Sequence, residues 1–318
     1  AGLAKRLGMP EMIVGATIVS LGTTTPEAAV SVMAAFGGEP GLALGNGVGS
    51  IIADTGLIFG AGCLLTTLPA DRFLLNRQGW VQFGSALLLA GLCYGVYLQH
   101  QNAAVLGFPV GVLLTGLLVA YLAISVHWAR AHPLAIPALG SPDSSDSPDL
   151  PDSPDATPSV AALFGLGLAG LVLVVLAGDA LVNSVSITAA RWGVPQAVIA
   201  STIVAFGTSL PELVTGWRAI QKGHPGLLVG NVIGADILNV LFVIGLSALA
   251  APLSIIDPTA AHPAVFLMVP VPTMLAMLLY MRVCIAVATR KGHFSRWMGV
   301  PLVTGYIAYL AVSYAMSA

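Results

Sequence analysis

Of 318 residues, 57% are hydrophobic and only 8% are Asp, Glu, Lys or Arg, and the mean hydropathy is +0.90. Soluble domains carry about a quarter charged residues, so this chain cannot coat a globule with charge and its apolar surplus must face lipid. With 12 Lys plus Arg against 14 Asp plus Glu, a net charge of −2, no basic face is left for a nucleic acid, and so apolar a chain is not intrinsically disordered.

A hydrocarbon core about 30 Å thick needs about 20 apolar residues to cross it. In chain order such stretches are predicted at 12–36, 42–67, 79–98, 104–126, 160–189, 195–220, 226–250, 263–285 and 298–316. The fold class is therefore an all-α integral membrane protein with nine spans. Between the fourth and fifth spans, Ser141–Ser159 is a Pro/Ser/Asp tract with almost nothing to bury, which reads as a flexible acidic linker. It divides the chain into a first half at 1–130, a linker at 131–159 and a second half at 160–318.

Threading the spans back and forth puts Lys5, Arg6, Arg72, Arg77, Arg130, Arg218, Lys222, Arg282, Arg290, Lys291 and Arg296 on one side and Arg191 on the other. Cytoplasmic flanks collect Lys and Arg, so the linker is expected in the cytoplasm, the C-terminus outside, and the protein in the plasma (cell inner) membrane. Ala1–Pro10 lacks the apolar central region of a cleavable signal. Cys63, Cys93 and Cys284 lie in apolar stretches without metal-ligand spacing and read as buried thiols. His100, His127, His132, His224, His262 and His293 all fall at span ends or in loops.

Gly8–Gly60 and Gly193–Gly245 align without a gap at an offset of 185 residues. G-T-x-x-P-E recurs at Gly22–Glu27 and Gly207–Glu212, and G-N-x-x-G at Gly45–Gly49 and Gly230–Gly234. The copies begin at the first and sixth spans, an odd separation, so they cross the membrane in opposite directions. Inverted repeats of this kind are typical of secondary transporters, which bind substrate near the bilayer midplane. A long apolar stretch precedes Gly193 but only seven residues precede Gly8, so a tenth span is expected at the N-terminal side and the first half lacks its first helix.

Within each motif, Pro26 or Pro211 removes a backbone donor and crowds the carbonyl four residues back, breaking the span into two half-helices. Backbone broken at that depth is tolerated where it lines a polar cavity or is buried in protein. Thr24-x-x-Glu27 and Ser209-x-x-Glu212 have the spacing of a capping box, with the carboxylate in the positive field of a helix start. Freed carbonyls, hydroxyls and carboxylates from two such motifs make a cluster of hard oxygens suited to sodium or calcium, without the His or Cys that zinc or copper would favour. An ionised carboxylate in hydrocarbon needs a partner. Neither motif supplies Lys or Arg, and a bound cation is the simplest one. One turn beyond G-N-x-x-G, Ser50 and Asp54 share a helix face in the first copy, and Ala235 and Asn239 share it in the second. Asp236, whose repeat counterpart is Ile51, reads equally as structural or functional. Asp179 reads as a helix-end or packing residue.

The paired G-T-[ST]-x-P-E and G-N-x-x-G-[SA]-x-x-x-[DN] motifs in inverted halves resemble the repeats of the sodium/calcium exchanger family, within the cation/calcium antiporter superfamily, in its prokaryotic form. The resemblance covers most of the chain. It implies ten helices, a central pocket with one calcium and several sodium sites, and alternating access in which the first helix of each half slides across a more rigid core. By position it implies that Glu27 and Glu212 are shared cation ligands and that Asp54 and Asn239 are the remaining acid and amide pair. Thr23, Thr24, Thr208, Ser209, Ser50 and the carbonyls of Ser20 and Ala205 are then the flanking sodium-site oxygens. The chain departs from the pattern at Ala235, where a serine hydroxyl usually serves one sodium site.

If ionised, Glu27, Asp54 and Glu212 carry a charge of −3, matched by three sodium ions or by calcium plus a proton. The function expected is calcium-for-sodium antiport, with no cofactor besides the transported ions and with the lipid bilayer as the only other partner the sequence calls for. A proton- or potassium-linked calcium antiporter of the same fold is the alternative. An intramembrane enzyme is disfavoured because neither G-x-G-D nor H-E-x-x-H is present.

Overall fold

In the computed structural model the described residues are 11–131, 180, 183–185, 187–188, 191–194, 196–257 and 262–316. The acidic linker, Asp179, His132, Lys5, Arg6 and most of the predicted span at 160–189 lie outside them. The first half contains α1 (Met12–Thr23), α2 (Thr25–Phe36), α3 (Pro40–Leu65), β1 (Leu68–Pro69), α4 (Arg72–His100), β2 (Val105–Leu106) and α5 (Phe108–Ala131). The second contains α6 (196–208), α7 (Leu210–Gln221), α8 (Pro225–Ala250), β3 (Leu253–Ser254), α9 (Val265–Lys291), β4 (His293–Phe294) and α10 (Arg296–Ala315).

Among the described residues, seven stretches are long and apolar enough to cross a membrane: α3, α4, α5, α6 together with α7, α8, α9 and α10. The first predicted span is instead divided into α1 and α2 at Thr24. Two predicted boundaries shift. The fourth span begins at Phe108, because Val105–Leu106 is extended and pairs with β3. The third begins earlier, at Arg72, where Asp71 caps the helix by accepting a hydrogen bond from the Leu74 amide at 2.9 Å.

α2 and α3 form a tight helical hairpin, as do α7 and α8. Gly38 (φ 78°) and Gly223 (φ 75°) occupy equivalent positions past the ends of α2 and α7, in the left-handed region open to glycine. The amides of Glu39 and His224 reach back to the carbonyls of Ala34 and Ala219, both at 2.8 Å, and Pro40 and Pro225 then start the next helices.

Two antiparallel ribbons join the halves: β1 pairs with β4, and β2 with β3. Because α4 runs its whole length between β1 and β2, the ribbons lie at opposite ends of the helices. α3 leads into β1 and α8 leads into β3, so the two repeats run in opposite directions. At the β1–β4 end, Arg282 bonds Asn76 Oδ1 at 3.3 Å and stacks over Trp80, next to Arg77.

α3 and α8 form the interior, with 78% and 83% of their most apolar stretches buried against 28% for α5 and 33% for α4. Val112, Val119, Leu279, Val283 and Ile307 are exposed on the outer helices, as lipid-facing positions should be. Cys63, Cys93 and Cys284 are free, buried thiols.

Each interior helix crosses the helix that leads into the proline motif of the opposite half. A Cβ on Gly45 would come within 2.6 Å of the Ala197 carbonyl, and one on Gly234 within 2.6 Å of Ser20 Oγ, while Gly49 and Gly230 lie directly against the backbones of Ser201 and Met12. The G-N-x-x-G glycines thus let α3 seat on α6 and α8 seat on α1 with almost no separation.

Candidate ion-binding site

The repeat governs the backbone of the site in detail. Single π-turns occur at Gly15–Val19 and Ala200–Val204, and again at Asp54–Phe59 and Asn239–Ile244, the same positions in each copy. Such turns leave carbonyls imperfectly paired and cluster at functional sites. Two tyrosines hold the first pair. Tyr121 donates to the Ala16 carbonyl at 3.0 Å, sharing its hydroxyl with Gln78 Oε1, and Tyr309 donates to the Ser201 carbonyl at 3.0 Å.

Both motif helices bend at the hydroxyl residue two positions before the proline. At the junctions α1–α2 and α6–α7, Thr24 (φ −83°, ψ −1°) sits at the edge of the α-helical basin and Ser209 (φ −81°, ψ 6°) just outside it. The predicted capping boxes do not form: neither side chain bonds its own helix. Instead the hydroxyls cross between the repeats. Thr24 donates to Glu212 Oε1 at 3.3 Å and Ser209 donates to Glu27 Oε1 at 3.4 Å. The same spacing that lets a hydroxyl cap its own helix also lets it reach the facing motif, and here each hydroxyl bonds the other repeat's carboxylate.

A second reciprocal pair lies beside the first. Thr208 donates to Asn46 Oδ1 at 3.0 Å and Thr23 to Asn231 Oδ1 at 3.3 Å. Neither asparagine was singled out in the sequence, although their identity in both copies of G-N-x-x-G was the available signal. Asn46 also donates to Ser31 Oγ at 2.9 Å, whereas Asn231 Nδ2 has no partner because Gly216 stands at the position equivalent to Ser31. The carbonyls of Ser20 and Ala205 accept the amides of Thr24 and Ser209 at 2.8 and 3.0 Å and are approached by the hydroxyls of Thr23 and Thr208.

The helices bring the candidate residues together in the interior. Glu27, Asp54, Ser50 and Asn239 have no exposed surface, and Glu212 and Ser209 are buried. Glu27 interacts electrostatically with Glu212 and Asp54, and Asp54 with Glu212 and Asp236. Their polar atoms are unsatisfied: Glu27 Oε2, Glu212 Oε2, Ser50 Oγ, both oxygens of Asp54 and both side-chain polar atoms of Asn239 have no hydrogen-bond partner. A buried, unpaired carboxylate costs several kcal/mol, and among the described residues none of these acids bonds to a Lys, Arg or His. The unsatisfied carboxylate and hydroxyl oxygens fit hard cations. Among the described residues no three His, Cys, Asp or Glu side chains close on one point, so a cation here would be held by mixed donors, hydroxyl and amide oxygens included.

Asp236 is placed beside this cluster. Its Oδ2 accepts hydrogen bonds from Thr55 Oγ1 and Gln82 Nε2, both at 2.6 Å, and its Oδ1 has no partner.

Inverted, proline-bent repeats that converge on buried acids and unsatisfied hard oxygens define a membrane carrier of cations. The family model for sodium/calcium exchanger protein matches residues 1–127 and 162–315, and the chain belongs to that family of membrane antiporters. It is 33% identical to the sodium/calcium exchanger MaX1 of Methanosarcina acetivorans, over 98% of this chain and 91% of that protein. It is 30% identical to the inner membrane protein YrbG of Escherichia coli, over 99% and 90%, and 32% identical to the putative antiporter CaxA of Alkalimonas amylolytica, over 82% and 76%. Among solved structures, the sodium-calcium exchanger NCX_Mj shares the fold, with a TM-score of 0.64 at 24% identity over 97% of this chain and 89% of that one.

Proposed function

We propose that the protein exchanges calcium for sodium across the membrane by alternating access at the oxygen cluster between α1–α2 and α6–α7. The observation that carries this reading is the set of unsatisfied, fully buried oxygens on Glu27, Glu212, Asp54, Ser50 and Asn239, contributed by both repeats. Thr23, Thr24, Thr208, Ser209 and the carbonyls of Ser20 and Ala205 complete the coordination, the hydroxyls turning their lone pairs inward when an ion displaces their present bonds. Calcium takes about six to eight oxygens in flexible geometry, more than one motif offers, so the ion needs both. Sodium ions compete for the same oxygens. An empty site retains its unpaired carboxylates in a dry interior, so loaded forms cross more readily than the vacant one, and this couples the two ions. The MaX1 name and the NCX_Mj fold support the choice of ions.

The accompanying topology has nine crossings, with 160–189 supplying one, a linker at 131–159 in the cytoplasm joining halves at 1–130 and 160–318, and the C-terminus outside. Arg72, Arg290 and Lys291, on helix ends that meet at the β1–β4 ribbon, with Arg77 and Arg282 further along the same helices, mark the cytoplasmic side.

Purified protein in liposomes loaded with sodium tests the exchange. Radioactive calcium is expected to accumulate when external sodium is removed, and a proton ionophore should leave the rate unchanged. Uptake that ignores the sodium gradient, or follows a proton or potassium gradient in its place, overturns the assignment of the counter-ion.

A further inference from the structure

Asp236 has no acidic counterpart in the first repeat, and the ligands assigned to the exchange site do not include it. It lies on α8 between Ala235 and Asn239, with 1% of its surface exposed. Its two oxygens are differently employed. Oδ2 is saturated by the Thr55 hydroxyl and the Gln82 amide at 2.6 Å each, which fixes the plane of the carboxylate, and Oδ1 is left without a donor. Thr55 spends its one proton on Asp236, so its oxygen lone pairs remain available. Asp54, the next residue back along α3, has two oxygens without a hydrogen-bond partner and adjoins the threonine that bonds Asp236. The opposite wall is Met281, whose sulfur lies 3.5 Å from Gln82 Nε2 and 3.8 Å from Thr55 Oγ1 and carries no charge.

The unsatisfied atoms of the two acids are therefore acceptors, the bonded Thr55 hydroxyl adds free lone pairs, and among the described residues no cationic side chain bonds to either acid. A donor such as water would satisfy a lone pair and leave the charge unbalanced; a cation satisfies both. Because Asp54 is shared with the central cage, the pocket adds one negative charge to the site, which matches a monovalent ion.

We propose that Asp236, Thr55 and Asp54 form a further cation subsite beside the central cage, taking one sodium-sized monovalent ion. The subsite rests on the exchange reading to the extent that Asp54 serves both. It gives this chain a fourth ionisable ligand, where the repeat motif alone supplies three.

The test is equilibrium binding of radioactive sodium, and separately of radioactive calcium, to the purified full chain and to Asp236→Asn and Thr55→Val variants. Asp236→Asn is expected to bind one fewer sodium ion per chain at saturation while still binding calcium, and the Hill coefficient for displacement of calcium by sodium is expected to fall by about one. Thr55→Val, which keeps the charge and removes one ligand oxygen, should raise the half-saturating sodium concentration several-fold. An unchanged sodium count and Hill coefficient in Asp236→Asn make Asp236 a structural hydrogen-bond acceptor and overturn the proposal. Loss of calcium together with sodium from a folded Asp236→Asn protein overturns it too, by placing Asp236 in the central cage. If Asp236→Asn does not fold, Thr55→Val decides, and an unaltered half-saturation rejects the subsite. Wild-type protein that binds sodium and no calcium would count against the exchange reading alone, since the subsite is scored on sodium.

Discussion

Ser50 and Asp54 of the first repeat correspond to Ala235 and Asn239 of the second, yet the helices that carry them have the same π-turn, the same glycine contacts and the same proline start. The scaffold is duplicated throughout and the donor set only in part. Residues that hold helices together recur in both copies: the glycines of G-N-x-x-G, Asn46 and Asn231, Thr23 and Thr208, Tyr121 and Tyr309. Among residues that could meet an ion, Glu27 and Glu212 recur as well, but three pairs diverge: Ser50 against Ala235, Asp54 against Asn239, Ile51 against Asp236. A two-fold scaffold supplies two interchangeable half-sites for alternating access, while the unequal side chains set how much charge the site holds.

The comparison can be broken most severely at the two residues that are both duplicated and acidic. Glu27→Gln and Glu212→Gln are each expected to lower sodium-dependent calcium uptake by at least about 100-fold, since each removes one charge from the buried cluster. Retention of uptake in either variant would mean that the half-sites are not equivalent partners.

A charge exchange sharpens it. Asp54→Asn alone should reduce uptake about tenfold or more, by loss of a charged ligand in a dry site, and adding Asn239→Asp should restore most of it, because position 239 occupies the equivalent π-turn. Failure of the double variant to recover would show that the asymmetry of the ion site extends to its backbone.

Gly49→Ala and Gly234→Ala test the shared scaffold. Each places a methyl group against the backbone of the opposite half, and each should lower stability by about 1–3 kcal/mol, read as a fall in the thermal midpoint of the purified protein. The smallest effect is expected at the tyrosine anchors. Tyr121→Phe and Tyr309→Phe each remove a hydrogen bond to a π-turn carbonyl, worth about 1 kcal/mol, and should slow exchange to a similar degree if the two anchors play equivalent roles.

Much of this arrangement was legible in the sequence because a gap-free repeat aligns the two proline motifs and marks Glu27, Glu212, Asp54 and Asn239 at once. The capping box was misread because spacing along one helix cannot reveal which acceptor lies across from it. Thr24 and Ser209 face the other repeat's carboxylates only once α1 and α6 cross. The tyrosine pair was hidden for a different reason: Tyr121 and Tyr309 are 188 residues apart, so a search at an offset of 185 passes over them. Asp236 stayed ambiguous because its partners, Thr55 and Gln82, come from helices distant in sequence and follow no repeat. The nine-span count meets seven full-length stretches among the described residues, since the first span is divided at Thr24 and most of the fifth falls outside them.

Anomalous diffraction from crystals soaked in strontium, a heavier stand-in for calcium with the same preference for oxygen ligands, addresses the central claim without any assay of transport. A peak between the carboxylates of Glu27 and Glu212, lost when sodium is raised, is the predicted result. A peak confined to the protein surface, with those two carboxylates still unoccupied at saturating strontium, would contradict the account.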